Sequence, residues 1–79
     1  MGKEARAMGV RLQELRQQAG LSQSQLAKAA SIPVGSLRNW EQGLRLPRLD
    51  AAYRLAQALG ITLDALAGES FRRPEKRRK

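Results

Sequence analysis

Apolar residues recur along the first part of the chain with the period of a helix. Met8, Leu12, Leu15 and Ala19 follow one another at steps of four, three and four, which puts them on one face. Gly20 then offers a C-terminal stop. The pattern does not fix where this helix begins, because Gly2 and Gly9 both weaken it. Ser22-Gln23-Ser24-Gln25 reads as a capping box, in which the Ser22 hydroxyl accepts from the Gln25 amide and the Gln25 side chain reaches back to the Ser22 amide. Leu21 and Leu26 flank the box where a hydrophobic staple sits. A second helix therefore starts at Gln23 and runs to about Ala30, since Pro33 disfavours helical geometry at Ile32. Proline is well tolerated at a helix start, so a third helix begins at Pro33 or Val34 and ends at Gly43.

Pro47 opens the next segment. Leu49, Ala52, Leu55, Ala56 and Leu59 form an apolar stripe, with Asp50 at the positive end of the helix dipole and Gly60 as the stop. Thr62 can cap a short fifth helix that carries Asp64 in its first turn, turns Leu63 and Leu66 inward and ends at Gly68. Beta-branched residues are too scarce for a sheet. The pattern predicts an all-α fold of five helices joined by short connections, followed by a basic tail.

The second and third helices carry a more specific arrangement. Counted from Gln23, the apolar residues Leu26, Ala30, Ile32, Leu37 and Trp40 fall at positions 4, 8, 10, 15 and 18. Ala27 stands at position 5, where a small side chain lets two helix backbones cross closely. Helices crossing at roughly 90–120° bury such a set on one side, as in a helix-turn-helix. The outer face of the third helix, with Val34, Gly35, Ser36, Arg38 and Asn39, is then left free.

Composition narrows the function. The 79 residues suffice for one small domain, without cysteine for disulfides or thiolate metal sites. The absence of histidine removes the commonest general base and the commonest metal ligand. No paired carboxylates, phosphate-cradling glycine loop or nucleophile–base arrangement stands out, so no catalytic residue, metal or cofactor is expected. No apolar run approaches the ~20 residues of a membrane span, and no secretory signal is evident, which points to the cytoplasm. Fifteen Lys and Arg against seven Asp and Glu give a formal net charge of +8. Such an excess favours polyanionic partners, because neutralising phosphates releases condensed counterions. Residues 69–79 hold six of the basic residues and only two acidic ones, and they are too polar to fold alone. This segment is expected to be a disordered tail, either a solubilising end or an arm that tracks the backbone or minor groove of a nucleic acid.

The stretch LQELRQQAGLSQSQLAKAASIPVGSLRNWEQGLRLP, followed by LAQALGITLDALAG, resembles the Xre/Cro/CI family of phage-repressor-like regulators. The likeness runs over about residues 10–68. It implies a compact, lambda-repressor-like five-helix domain that binds double-stranded DNA as a transcriptional regulator, most often a repressor, at the nucleoid. It also implies roles for particular residues. Gln23 matches a glutamine that binds a phosphate and braces the recognition helix. Val34, Gly35, Ser36 and Asn39 match positions near base edges, and Arg38 lies on the same face. Gln42, Arg45 and Arg48 match the loop along the sugar-phosphate backbone, and Arg16 and Glu41 match a buried ion pair. Plainer readings remain: Gln23 as a solvated first-turn residue, and Arg38 and Asn39 as an ordinary polar face.

The chain departs from the family's pattern in two respects. Ser31 stands where glycine usually takes the left-handed conformation, at a cost on the order of 1 kcal/mol unless the turn shifts. Val34 and Gly35 stand where polar residues often read bases, which leaves direct reading mainly to Arg38 and Asn39, with Ser36 helping. The resemblance further implies a homodimer formed through the fifth helix, assembling on a pseudo-palindromic operator. The alternatives are an antitoxin whose first partner is a toxin protein, and a bridging module that holds nucleic acid non-specifically.

Overall fold

The computed structural model describes residues 2–68, which form five α-helices and no strand. They are α1 (Lys3–Gln18), α2 (Gln23–Ala30), α3 (Val34–Glu41), α4 (Leu49–Leu59) and α5 (Leu63–Ala67). The expected disordered tail at 69–79 lies outside the described residues. Helix α1 packs on α3 and α5, and α2 packs on α3 and α4. The core is shared evenly: Leu12, Leu26, Leu37, Leu55 and Leu66, one from each helix, are fully buried. Burial of a leucine side chain contributes about 1.5–3 kcal/mol, so each helix is anchored to the shared core.

Local signals set the helix ends. The capping box forms as the spacing requires, with the Gln25 amide donating to Ser22 Oγ at 3.0 Å and the Ser22 amide donating to Gln25 Oε1 at 2.8 Å. Thr62 caps α5 through a 3.0 Å bond from the Ala65 amide. Helices α1 to α4 share one ending, in which a left-handed residue lets the next amide reach back to a carbonyl five residues earlier. Leu21 donates to Arg16, Ile32 to Ala27, Leu44 to Asn39 and Ile61 to Ala56, at 2.9–3.1 Å. Glycine supplies that conformation at Gly20, Gly43 and Gly60, and Ser31 supplies it between α2 and α3, with φ 59° and ψ 46°. The turn does not shift to accommodate the serine. The serine adopts the strained geometry.

Some expectations from periodicity are corrected. Helix α1 begins at Lys3 and runs straight through Gly9. A Cβ at Gly9 would lie 2.6 Å from the Trp40 carbonyl oxygen and 2.7 Å from that of Glu41, so the missing side chain is what lets α1 approach the end of α3. Ala19 caps α1 and is exposed, because the helix has ended before its face can turn inward. Leu49 belongs to the apolar stripe of α4 by spacing, yet it is 73% exposed, since it opens the helix at the rim of a surface groove beside α5 and not within the core. Leu15, Leu59 and Leu63 are only partly buried and line the margin of the core.

Candidate nucleic-acid interface

The site is built on α3 and on what holds it. Glu41, the last residue of α3, has a side chain only 4% exposed and forms the one ion pair among the described residues. Arg16 Nε donates to Glu41 Oε2 at 2.7 Å, and Arg16 Nη2 donates to Oε1 at 3.0 Å. The remaining Arg16 nitrogen, Nη1, donates to the Leu21 carbonyl at 2.9 Å. Gln23 Nε2 completes the cluster with a 3.0 Å bond to Glu41 Oε1. The flat guanidinium suits this two-pronged grip on a carboxylate. One carboxylate therefore joins α1, the first residue of α2 and the end of α3. Desolvation offsets much of the Coulomb gain in such a pair, so its main effect is to fix where α3 points.

The two faces of α3 divide as a helix requires. Leu37 and Trp40 are buried, while Gly35, Arg38 and Asn39 are exposed and Ser36 is half-buried. Val34 differs from the expectation of a free outer position. It lies three residues before Leu37, on the inner stripe, and it packs in part against the core. At Gly35 no neighbouring heavy atom lies within 4 Å of where a Cβ would be, so this entrance to the helix is open.

After α3 the chain turns through Gln42 and Gly43 into a loop with Arg45 and Arg48 exposed, and Arg48 is the N-cap of α4. Gln42, Arg45 and Arg48 thus follow the exposed face of α3 along the chain, while Gln23 reaches the end of α3 from below. Among the described residues no group of three His, Cys, Asp or Glu could hold a metal, and no helix is long and apolar enough to cross a membrane. Two contacts gave no sequence signal. Arg11 donates from Nε and Nη2 to the Ala65 carbonyl at 3.3 and 2.9 Å, tying α1 to α5. Arg54 reaches the Ser31 carbonyl at 3.4 Å. Each joins residues far apart in the chain through a backbone acceptor, which leaves no trace in residue type. The notch at Gly9 is likewise invisible to the pattern, which counts a glycine inside a helix only as a weakening of it.

Two helices crossed at a tight turn, with the second held by its end and bare on its outer face, define a helix-turn-helix domain. A helix-turn-helix family model matches residues 12–66, and the chain belongs to that family, in its Xre-like branch. It is 44% identical over 62 residues to the HTH-type transcriptional regulator DdrOP3 of Deinococcus deserti, covering 77% of this chain and 48% of that protein. It is 33% identical over 63 residues to the HTH-type transcriptional regulator ImmR of Bacillus subtilis, covering 80% and 50%. The chain spans about half the length of these curated relatives. The crystal structure of the restriction-modification controller protein C.AhdI from Aeromonas hydrophila superposes with a TM-score of 0.80 at 34% identity, covering 82% of this chain and 98% of that one.

Proposed function

We propose that this chain is the DNA-binding unit of a transcriptional regulator, acting as a repressor on nucleoid DNA in the cytoplasm. The observation that carries the reading is the exposed face of α3, held at its end by Arg16, Gln23 and Glu41 and continued by exposed arginines in the following loop. An α-helix fits the major groove of B-DNA, where Arg38 and Asn39 would make the direct contacts and Ser36 would assist. Gln23, Gln42, Arg45 and Arg48 would meet phosphates, which set register and affinity without reading sequence. Val34 and Gly35 would add little to sequence discrimination, the first because it is turned partly inward and the second because it has no side chain.

Selection on random duplexes at physiological salt tests this reading. A preferred site should emerge, and Arg38→Ala or Asn39→Ala should each relax it at single positions, at a cost of about 1–3 kcal/mol. Recovery of no preferred sequence would overturn the reading in favour of a bridging module.

The dimer is proposed on a separate observation. Met8, Leu46, Pro47, Leu49, Leu63 and Leu66 line an apolar groove between the α3–α4 loop and α5, and Leu46 and Leu49 are largely exposed beside it. A second copy seated there would pair two α3 helices about one helical turn of DNA apart on a pseudo-palindromic operator. Sedimentation with and without the selected duplex tests it. A mass of one chain per half-site duplex, unchanged on a full operator, would leave the groove to a protein partner such as a toxin.

A further inference from the structure

The sequence left the N-terminal part of α1 without a role, yet the fold brings it to the edge of the interface. Gly9 seats α1 against the carbonyls of Trp40 and Glu41 at the end of α3. One turn earlier, a Cβ at Gly43 would lie 3.0 Å from Arg6 Cα and 3.1 Å from Arg6 Cγ. Arg6 therefore lies directly against the turn that carries the chain from Gln42 to Arg45. Arg6 is itself exposed, and so is Lys3, which shares its face of α1 at a spacing of three. The nearest carboxylate of α3, that of Glu41, is already held by Arg16 and Gln23.

We infer that Arg6 is a further DNA-phosphate contact, extending the polar edge formed by Gln42 and the basic residues Arg45 and Arg48 onto a third element of the fold. The inference rests on the DNA-binding reading above. Its physical basis is position and charge together. A guanidinium whose stem is packed against the turn loses less freedom on meeting a phosphate than one on a free loop. The contact would be sequence-independent, because it lies beside the backbone-tracking loop and away from the exposed face of α3.

Fluorescence anisotropy with the selected duplex and with a random duplex, from 50 to 200 mM salt, tests the inference with the full chain. Each phosphate contact contributes about −0.9 to the slope of log K against log salt, which amounts to roughly eightfold in affinity at 0.1 M. Arg6→Gln should weaken both duplexes by about that factor and flatten the slope by about 0.9, while Arg6→Lys should keep most of the slope. Arg54→Gln, on α4 away from the loop, should change the slope much less. An unchanged slope in Arg6→Gln, with its thermal melt intact, would overturn the inference while leaving the DNA-binding reading in place. Equal flattening by Arg54→Gln would reduce the effect to net charge and overturn it as well. A wild-type chain that binds neither duplex would instead sink the reading on which the inference rests.

Discussion

Glycine within an exposed helix costs about 0.5–1 kcal/mol relative to alanine, so Gly→Ala in a helix ordinarily stabilises a protein. Gly9 and Gly35 both lie within helices, and the structure assigns them opposite outcomes. At Gly35 nothing lies within 4 Å of the new methyl, so Gly35→Ala should gain at most the propensity difference. At Gly9 the methyl would sit 2.6 Å from one carbonyl oxygen and 2.7 Å from another, both belonging to backbone that cannot rotate away. Helix α1 would have to back off from α3 by most of an ångström, and overpacking of this kind costs about 1–3 kcal/mol. After the propensity gain of about 0.5–1 kcal/mol is subtracted, the net loss centres on about 1 kcal/mol, or a fall in Tm of about 4–8 °C for a domain of this size. Displacing α1 would also pull Arg16 from Glu41, so the loss in Gly9→Ala should come with weaker DNA binding. Thermal melts followed by circular dichroism decide the matter. If Gly9→Ala melts at or above the wild-type temperature, the close approach of α1 to α3 is not what the glycine is for.

Other expectations follow from the same geometry. Glu41→Gln should destabilise the domain by on the order of 3 kcal/mol in urea titrations, because it leaves the Arg16 charge without its partner. The double variant Arg16→Met/Glu41→Leu should recover much of that loss, and additive losses would refute the coupling. Ser31→Gly should relieve a left-handed conformation costing about 1–2 kcal/mol, less the about 0.4–1 kcal/mol of extra freedom glycine brings to the unfolded chain. A rise in Tm of a few degrees is expected, and a fall would mean that the serine side chain has a role of its own. Ser22→Ala should cost about 1 kcal/mol and speed hydrogen exchange at the Gln25 amide, which then loses its acceptor.

The helix boundaries were legible wherever a local device sets them. Ser22 with Gln25 opens α2, Pro33 separates α2 from α3, and Gly20, Gly43 and Gly60 close three helices with geometry that other residues adopt only under strain. What depended on partners distant in the chain was not legible. Periodicity counts Leu49 and Ala19 as inward, because it cannot see where the neighbouring helix stops. It also discounts Gly9, whose value lies in the carbonyls of another helix. Val34 matches a position near base edges by family resemblance, while its spacing to Leu37 places it on the packed side. The Arg16–Glu41 pair joins residues 25 apart in sequence and was expected only through family resemblance. The bonds from Arg11 and Arg54 to backbone carbonyls were not foreseeable at all, since every residue offers such an acceptor.

Helix α1 touches the end of α3 at Gly9 and the following turn at Arg6, and it holds α5 through Arg11. It is thus a strut between the proposed DNA-facing edge and the groove proposed to receive a second copy. Any tilt of α1 would move one surface relative to the other. In a dimer this would change the distance and rotational phase between the two α3 helices, and with them the spacing of half-sites the pair can span. Substitutions along α1 could therefore retune operator geometry without altering a single base contact.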